Sequence, residues 1–106
     1  MTKKGGIVKI VITRHPAFVE YLLDKGIIKE GEYEVIEHAS PEKIMKRRVI
    51  ASGLPLHLAC LCERVFTVSI NLPLELRGKE LTLEDMKKYA GDIQEYIVLR
   101  VNREEA

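Results

Sequence analysis

The chain has 106 residues, of which 46% are hydrophobic and 31% charged, and its net charge is +1. This is material for one domain with a single core. The charge balance excludes the strongly basic footprint of a binder of long nucleic acid, and no apolar run approaches the roughly 20 residues of a membrane span. The start, Met1 to Gly6, carries two lysines, but the apolar stretch after it is too short for a secretory signal and has no small-residue cleavage site. A cytoplasmic protein is expected.

Ile7 to Ile12 is a β-branched run interrupted only by Lys9, the pattern of a strand buried on both sides. It stops at Thr13-Arg14-His15, and Pro16 has the fixed φ and missing N–H suited to the first position of a helix. Phe18, Val19, Leu22 and Leu23 then fall at helical spacing over 16–25, with Gly26 placed for a left-handed helix end. Tyr33 to His38 reads as a second strand, and Ser40-Pro41 opens a helical turn carrying Ile44 and Met45. The basic run Lys46-Arg47-Arg48 reads as solvated surface.

Val49-Ile50-Ala51 is a third short strand, and Ser52-Gly53-Leu54-Pro55 repeats the first design: strand, small residues, then a proline opening a helix. That helix, expected over 55–63, is apolar nearly all round and should be buried or in a subunit contact. Cys60 and Cys62 within it point to different faces, so they read as small apolar residues rather than a disulfide or metal pair. Val65 to Leu72 alternates apolar and polar residues as a strand does. Leu74 to Lys79 reads as an irregular loop. Thr82 and Asp85 form a capping-box pattern for a helix that Gly91 can end, and Tyr96 to Val101 is the expected last strand before a polar, frayed tail.

Strands alternating with helices predict an α/β domain over 1–106, with βαβ units and a mainly parallel five-stranded sheet. In such sheets ligands lie beyond the carboxyl ends of the strands. That rim collects Thr13, Arg14, His15, His38, Ser52, Gly53, Pro55, His57 and Asn71, and so all three histidines. Arg14 can pair bidentately with phosphate oxygens, two helix N-termini add N–H donors, and a histidine can move a proton near neutrality. The set suits a phosphodiester. An RNA 2′-hydroxyl can attack the adjacent phosphate, so no metal, cofactor or covalent enzyme intermediate is required. Blander roles compete: a surface ion pair for Arg14, a cap for His15, a core position for His57. A three-histidine metal site is disfavoured because no two of them share a local zinc-ligand spacing.

Thr13-Arg14-His15-Pro16 with Val19-Glu20-Tyr21-Leu22, Gly53 to Ala59, Asn71-Leu72-Pro73 and Arg77 to Thr82 stand in one order. Together they resemble a small stand-alone CRISPR-associated accessory family of the Csx group, found beside type III systems. The likeness runs from about Ile7 to Val101, departing at Ala17, where glycine is expected, and Tyr21, where tryptophan is. The resemblance implies a three-layer Rossmann-like fold related to CARF sensor domains. It implies a cytoplasmic homodimer acting as a metal-independent ring nuclease on cyclic oligoadenylate, chiefly cyclic tetra-adenylate, to switch off type III signalling. A binding-only sponge for the same messenger is the alternative. Carried onto this chain, Arg14, His15 and His57 become the candidate catalytic residues. Thr13, Pro16, Ser52, Gly53, Leu54, Pro55, Asn71 and Arg77 become the candidate substrate contacts.

Overall fold

A computed structural model describes residues 8–101. Ile7 of the first apolar run, the Met1–Gly6 start and the polar tail from Asn102 lie outside them. In chain order the elements are β1 (Lys9–Ile12), α1 (Pro16–Asp24), β2 (Tyr33–Ile36), α2 (Pro41–Ile44), β3 (Arg48–Ala51), α3 (Leu56–Ala59), β4 (Arg64–Ile70), a 3-10 turn (Leu74–Leu76), α4 (Leu83–Tyr89) and β5 (Ala90–Tyr96). No helix among the described residues is long and apolar enough to cross a membrane.

The five strands form one sheet in the order β2-β1-β3-β4-β5. The pairings β1·β2, β1·β3 and β3·β4 are parallel, and β4·β5 is antiparallel. The sheet is therefore mixed, not mainly parallel as expected. Its antiparallel edge follows from where α4 ends: the Tyr89 carbonyl accepts from Asn71 N–H at 3.1 Å, beyond the tip of β4. Ala90 then faces Ile70, so the chain can only run back alongside β4.

Three expected boundaries move for similar non-local reasons. The last strand lies at Ala90–Tyr96, not at Tyr96 to Val101, because Tyr96 already faces Val65, near the start of β4. Only Arg64 is left on β4 beyond that pair. Gly91 sits inside β5 against Ser69 and does not end α4, which stops at Ala90 in extended conformation. The expected helix over 55–63 holds only Leu56–Ala59. The Lys46 amide donates to the Leu61 carbonyl at 2.8 Å and the Glu63 amide to the Arg47 carbonyl at 2.9 Å, which pulls the chain out of the helix. Lys46 takes the left-handed φ of 59° there, and Arg48, read as free surface, is half-buried and pairs with Glu63 at 2.9 Å. The helix is not buried all round: Leu56 is 74% exposed.

Two apolar layers sandwich the sheet. On one face Val11, Ile50 and Val68 pack under Phe18, Tyr21 and Leu22 of α1 and Met86 of α4. On the other, Ile10, Val49 and Val65 pack under Ile44 of α2 and Ala59 of α3. Alternate residues of β1 and β3 thus serve opposite cores, as their short apolar runs imply. Lys9, the one break in the first run, donates to the Ile27 carbonyl at 2.9 Å and lies 5.5 Å from the Phe66 ring centroid.

Two local signals hold in the structure. Gly26 follows the α1 C-cap with φ of 75°, a conformation that costs a side chain with a Cβ. The capping box is complete: Asp85 N–H donates to Thr82 Oγ1 at 3.1 Å, and Thr82 N–H to Asp85 Oδ2 at 3.0 Å. Thr82→Ala is expected to lower stability by about 1 kcal/mol in urea denaturation, the usual worth of an N-cap.

Candidate functional site

β1 to β4 run in one direction, so the turns that follow them share one edge of the sheet. β1 connects outward to β2 and β3 lies on its other side, which makes the gap between the turns after β1 and β3 the topological switch point. The first turn is tightly specified. Thr13 N–H donates to the Ile36 carbonyl at 3.0 Å, extending the β1·β2 ladder by one residue. Thr13 Oγ1 then accepts from His15 N–H at 3.0 Å. His15 is the extended N-cap of α1, its carbonyl accepts from Phe18 N–H at 3.0 Å, and Pro16 opens the helix. Among the described residues the Ala17 amide has no backbone acceptor, leaving a donor of the helix start unused. Arg14 and His15 are exposed, and Arg14 has no ion-pair partner among the described residues.

The turn after β3 is looser. Ser52 and Gly53 are exposed, and Leu54 packs on the second core. Pro55 is the N-cap of α3 rather than its first helical residue, and with four residues α3 contributes little dipole. Of the two helix N-termini anticipated at the rim, only that of α1 is substantial. Gly53 has no φ demand for glycine, and a Cβ built on it would meet nothing within 4 Å. Open space therefore lies above its backbone.

Five of the candidate residues line one or other of two cavities. One, of about 520 Å³, is lined by Thr13, Arg14, His15 and Pro16 together with Val19, Glu20, Leu23, Tyr33, Val35 and Glu37. Its volume lies within the roughly 300–1,000 Å³ usual for small-molecule sites. The other, of about 420 Å³, joins Leu56, His57, Cys60 and Leu61 to Val98, Leu99 and Arg100. His57 thus shares the rim with Arg14 and His15 but not their cavity. His38, Ser52, Gly53, Leu54, Pro55, Asn71 and Arg77 line neither. Tyr33, Val35, Glu20 and Glu37 were not anticipated as site residues. Their signal was present as residues 33, 35 and 37 alternating on one strand face and Val19, Glu20 and Leu23 grouped on one side of a helix.

Both cysteines are free. Cys62 is buried and its Sγ donates to the Leu58 carbonyl at 3.7 Å; burial, and secondarily the neighbouring Cys60, push its thiol pKa up. The thiolate is the reactive form, so iodoacetamide at mildly alkaline pH should alkylate half-buried Cys60 well ahead of Cys62, as peptide mass mapping would read.

A family model described as putative CRISPR-associated protein (Cas_VVA1548) matches residues 10–99. No curated protein and no solved structure matches the chain significantly.

Proposed function

The chain belongs to this family of CRISPR-associated proteins, and on that premise we propose that it is a ring nuclease, binding cyclic oligoadenylate and opening it without metal. The observation that carries the reading is the exposed Arg14 guanidinium, without an ion-pair partner among the described residues and set beside His15 where α1 begins. A cation at the start of a helix suits a phosphate. The open backbone at Gly53, across the switch point, gives the rest of the ring room to approach.

In the proposed reaction the ribose 2′-oxygen attacks the adjacent phosphorus as the bond to the 5′-oxygen breaks. The imidazole of His15 takes the 2′-hydroxyl proton, and a proton returns to the departing 5′-oxygen. The products are a linear oligoadenylate with a 2′,3′-cyclic phosphate and a 5′-hydroxyl. Arg14 neutralises charge growing on the non-bridging oxygens, and holding the nucleophile in line supplies much of the rate. Among the candidates, His57 is reserved for ring contacts because it faces the second cavity.

A symmetric ring is met most simply by two copies of the chain about a two-fold axis. Beside His57, Leu56 and Leu99 are 74% and 84% exposed, and Ile97 is 62% exposed in the same terminal stretch, so an apolar surface is available for that contact. Light scattering should return twice the 12.1 kDa chain mass, and Leu99→Glu the single mass.

Incubation of labelled cyclic tetra-adenylate with the protein in EDTA tests the activity. Linear product is expected. Retention of the intact ring would leave a binding-only sponge, and neither binding nor cleavage would remove the nucleotide from the account.

A further inference from the structure

Within the larger cavity, charge and apolar surface are arranged along one axis. β2 is an edge strand, and α4 packs on the same sheet face as α1 over the strands on the other side of β1, so the trough between α1 and β2 stays uncovered. Tyr33 and Val35 line it from β2 and Glu37 from just past its end; Val19, Glu20 and Leu23 line it from the helix. Arg14 and His15 stand at its mouth. Among the described residues neither Glu20 nor Glu37 has an ion-pair partner, and neither pairs with Arg14. Val35, in the strand wall, is 43% exposed despite its apolar side chain.

Depth along the trough distinguishes the two carboxylates. Thr13 N–H bonds the Ile36 carbonyl, so Glu37 stands level with the Thr13-Arg14 turn. α1 descends from that level at about 1.5 Å per residue, placing Glu20 about 6 Å below Pro16. β2 descends at about 3.3 Å per residue, placing Val35 about 7 Å below Glu37. Glu20 and Val35 therefore share one depth below the mouth. An anion is attracted at Arg14 and repelled at Glu37, while a flat apolar group finds Val19, Val35 and Tyr33. A hydrogen-bond donor on that group finds Glu20.

We propose that the trough between α1 and β2 is a base subsite for the nucleotide whose phosphate Arg14 holds, and that Glu20 reads the exocyclic amine of its purine. The inference rests on the ring-binding reading above and assigns the residue that tells an adenine ring from other purine rings. Glu20 is a specificity residue with no part in bond cleavage. An ionised carboxylate accepts from an amine and repels a carbonyl, whereas a glutamine amide can accept from the one or donate to the other.

The test compares equilibrium binding, in EDTA, of two rings blocked by 2′-deoxyribose at every position, one of four adenylates and one of four inosinates. Inosine carries a carbonyl where adenine carries its amine. The wild-type protein should favour the adenine ring by about five- to a hundredfold, the usual worth of one base-edge contact. Glu20→Gln should bring that ratio close to one, while Glu37→Gln should leave it standing. Val35→Trp, which fills the trough from an exposed position, should weaken both rings at least about tenfold with the chain still folded by circular dichroism. Equal affinity of the wild type for both rings, or a preference unchanged in Glu20→Gln, would overturn the base subsite while ring binding stands. Failure of the wild type to bind either ring would overturn the ring-binding reading itself, and the subsite with it.

Discussion

Arg14→Ala is expected to weaken binding of the cyclic messenger by about 10- to 100-fold, the range for losing one charge-assisted hydrogen-bonding partner. Its melting temperature should stay within about 2–4 °C of wild type, because Arg14 is exposed and pairs with no described carboxylate. The combination is what identifies a ligand-facing residue. Were Arg14 a surface ion-pair partner, affinity would hold. Arg14→Lys should recover only part of the loss, since an ammonium cannot match two phosphate oxygens with a planar fork. Titration of labelled 2′-deoxy ring against the three proteins reads the result.

Phe18→Ala is expected to have the largest effect on stability, a loss of about 3–5 kcal/mol by urea denaturation. Phe18 is 2% exposed and belongs to the core shared by α1, α4 and the sheet. A domain of this size has about 5–15 kcal/mol in all, so the variant should be partly unfolded near physiological temperature. The same residue ties the core to the turn: its amide donates to the His15 carbonyl at 3.0 Å, two residues from its neighbour Pro16. At low temperature, where the variant folds, affinity should fall too, because the helix that presents the turn has lost its anchor. The conservative Phe18→Leu should recover most of both.

These expectations draw on features of unequal legibility. The turn at Thr13-Arg14-His15-Pro16, the left-handed Gly26 and the Thr82–Asp85 capping box were readable because each is decided within a few residues by φ, by a missing N–H or by a side chain bonding its own backbone. The α/β class and the five-stranded sheet followed from strands and helices in alternation. What escaped was decided at a distance. Tyr96 to Val101 has far stronger strand character than Ala90–Tyr96, yet pairing belongs to the earlier segment because β4 is where it is and seven residues long. The helix at Pro55 looked twice its length because nothing nearby reveals that Lys46 and Arg47 claim the backbone of Leu61 and Glu63.

The site shows the same division. The placement of Arg14 and His15 at the carboxyl edge was readable because the chain order of strand, polar cluster and proline marks such a turn. That His57 faces a different cavity depends on α3 lying on the opposite sheet face from α1, which the sequence does not state locally. Glu20 and Glu37 carry no motif at all. They matter only once β2 is known to be the uncovered edge of the sheet.

The central claim is that the turn between β1 and α1 holds a phosphate of the cyclic messenger. A crystal structure of the protein with the uncleavable 2′-deoxy cyclic tetra-adenylate tests it most directly. The account predicts a phosphate oxygen within hydrogen-bond distance of the Arg14 guanidinium. A ring lodged at the opposite edge of the sheet, or one bound at the rim with Arg14 turned away, would contradict it.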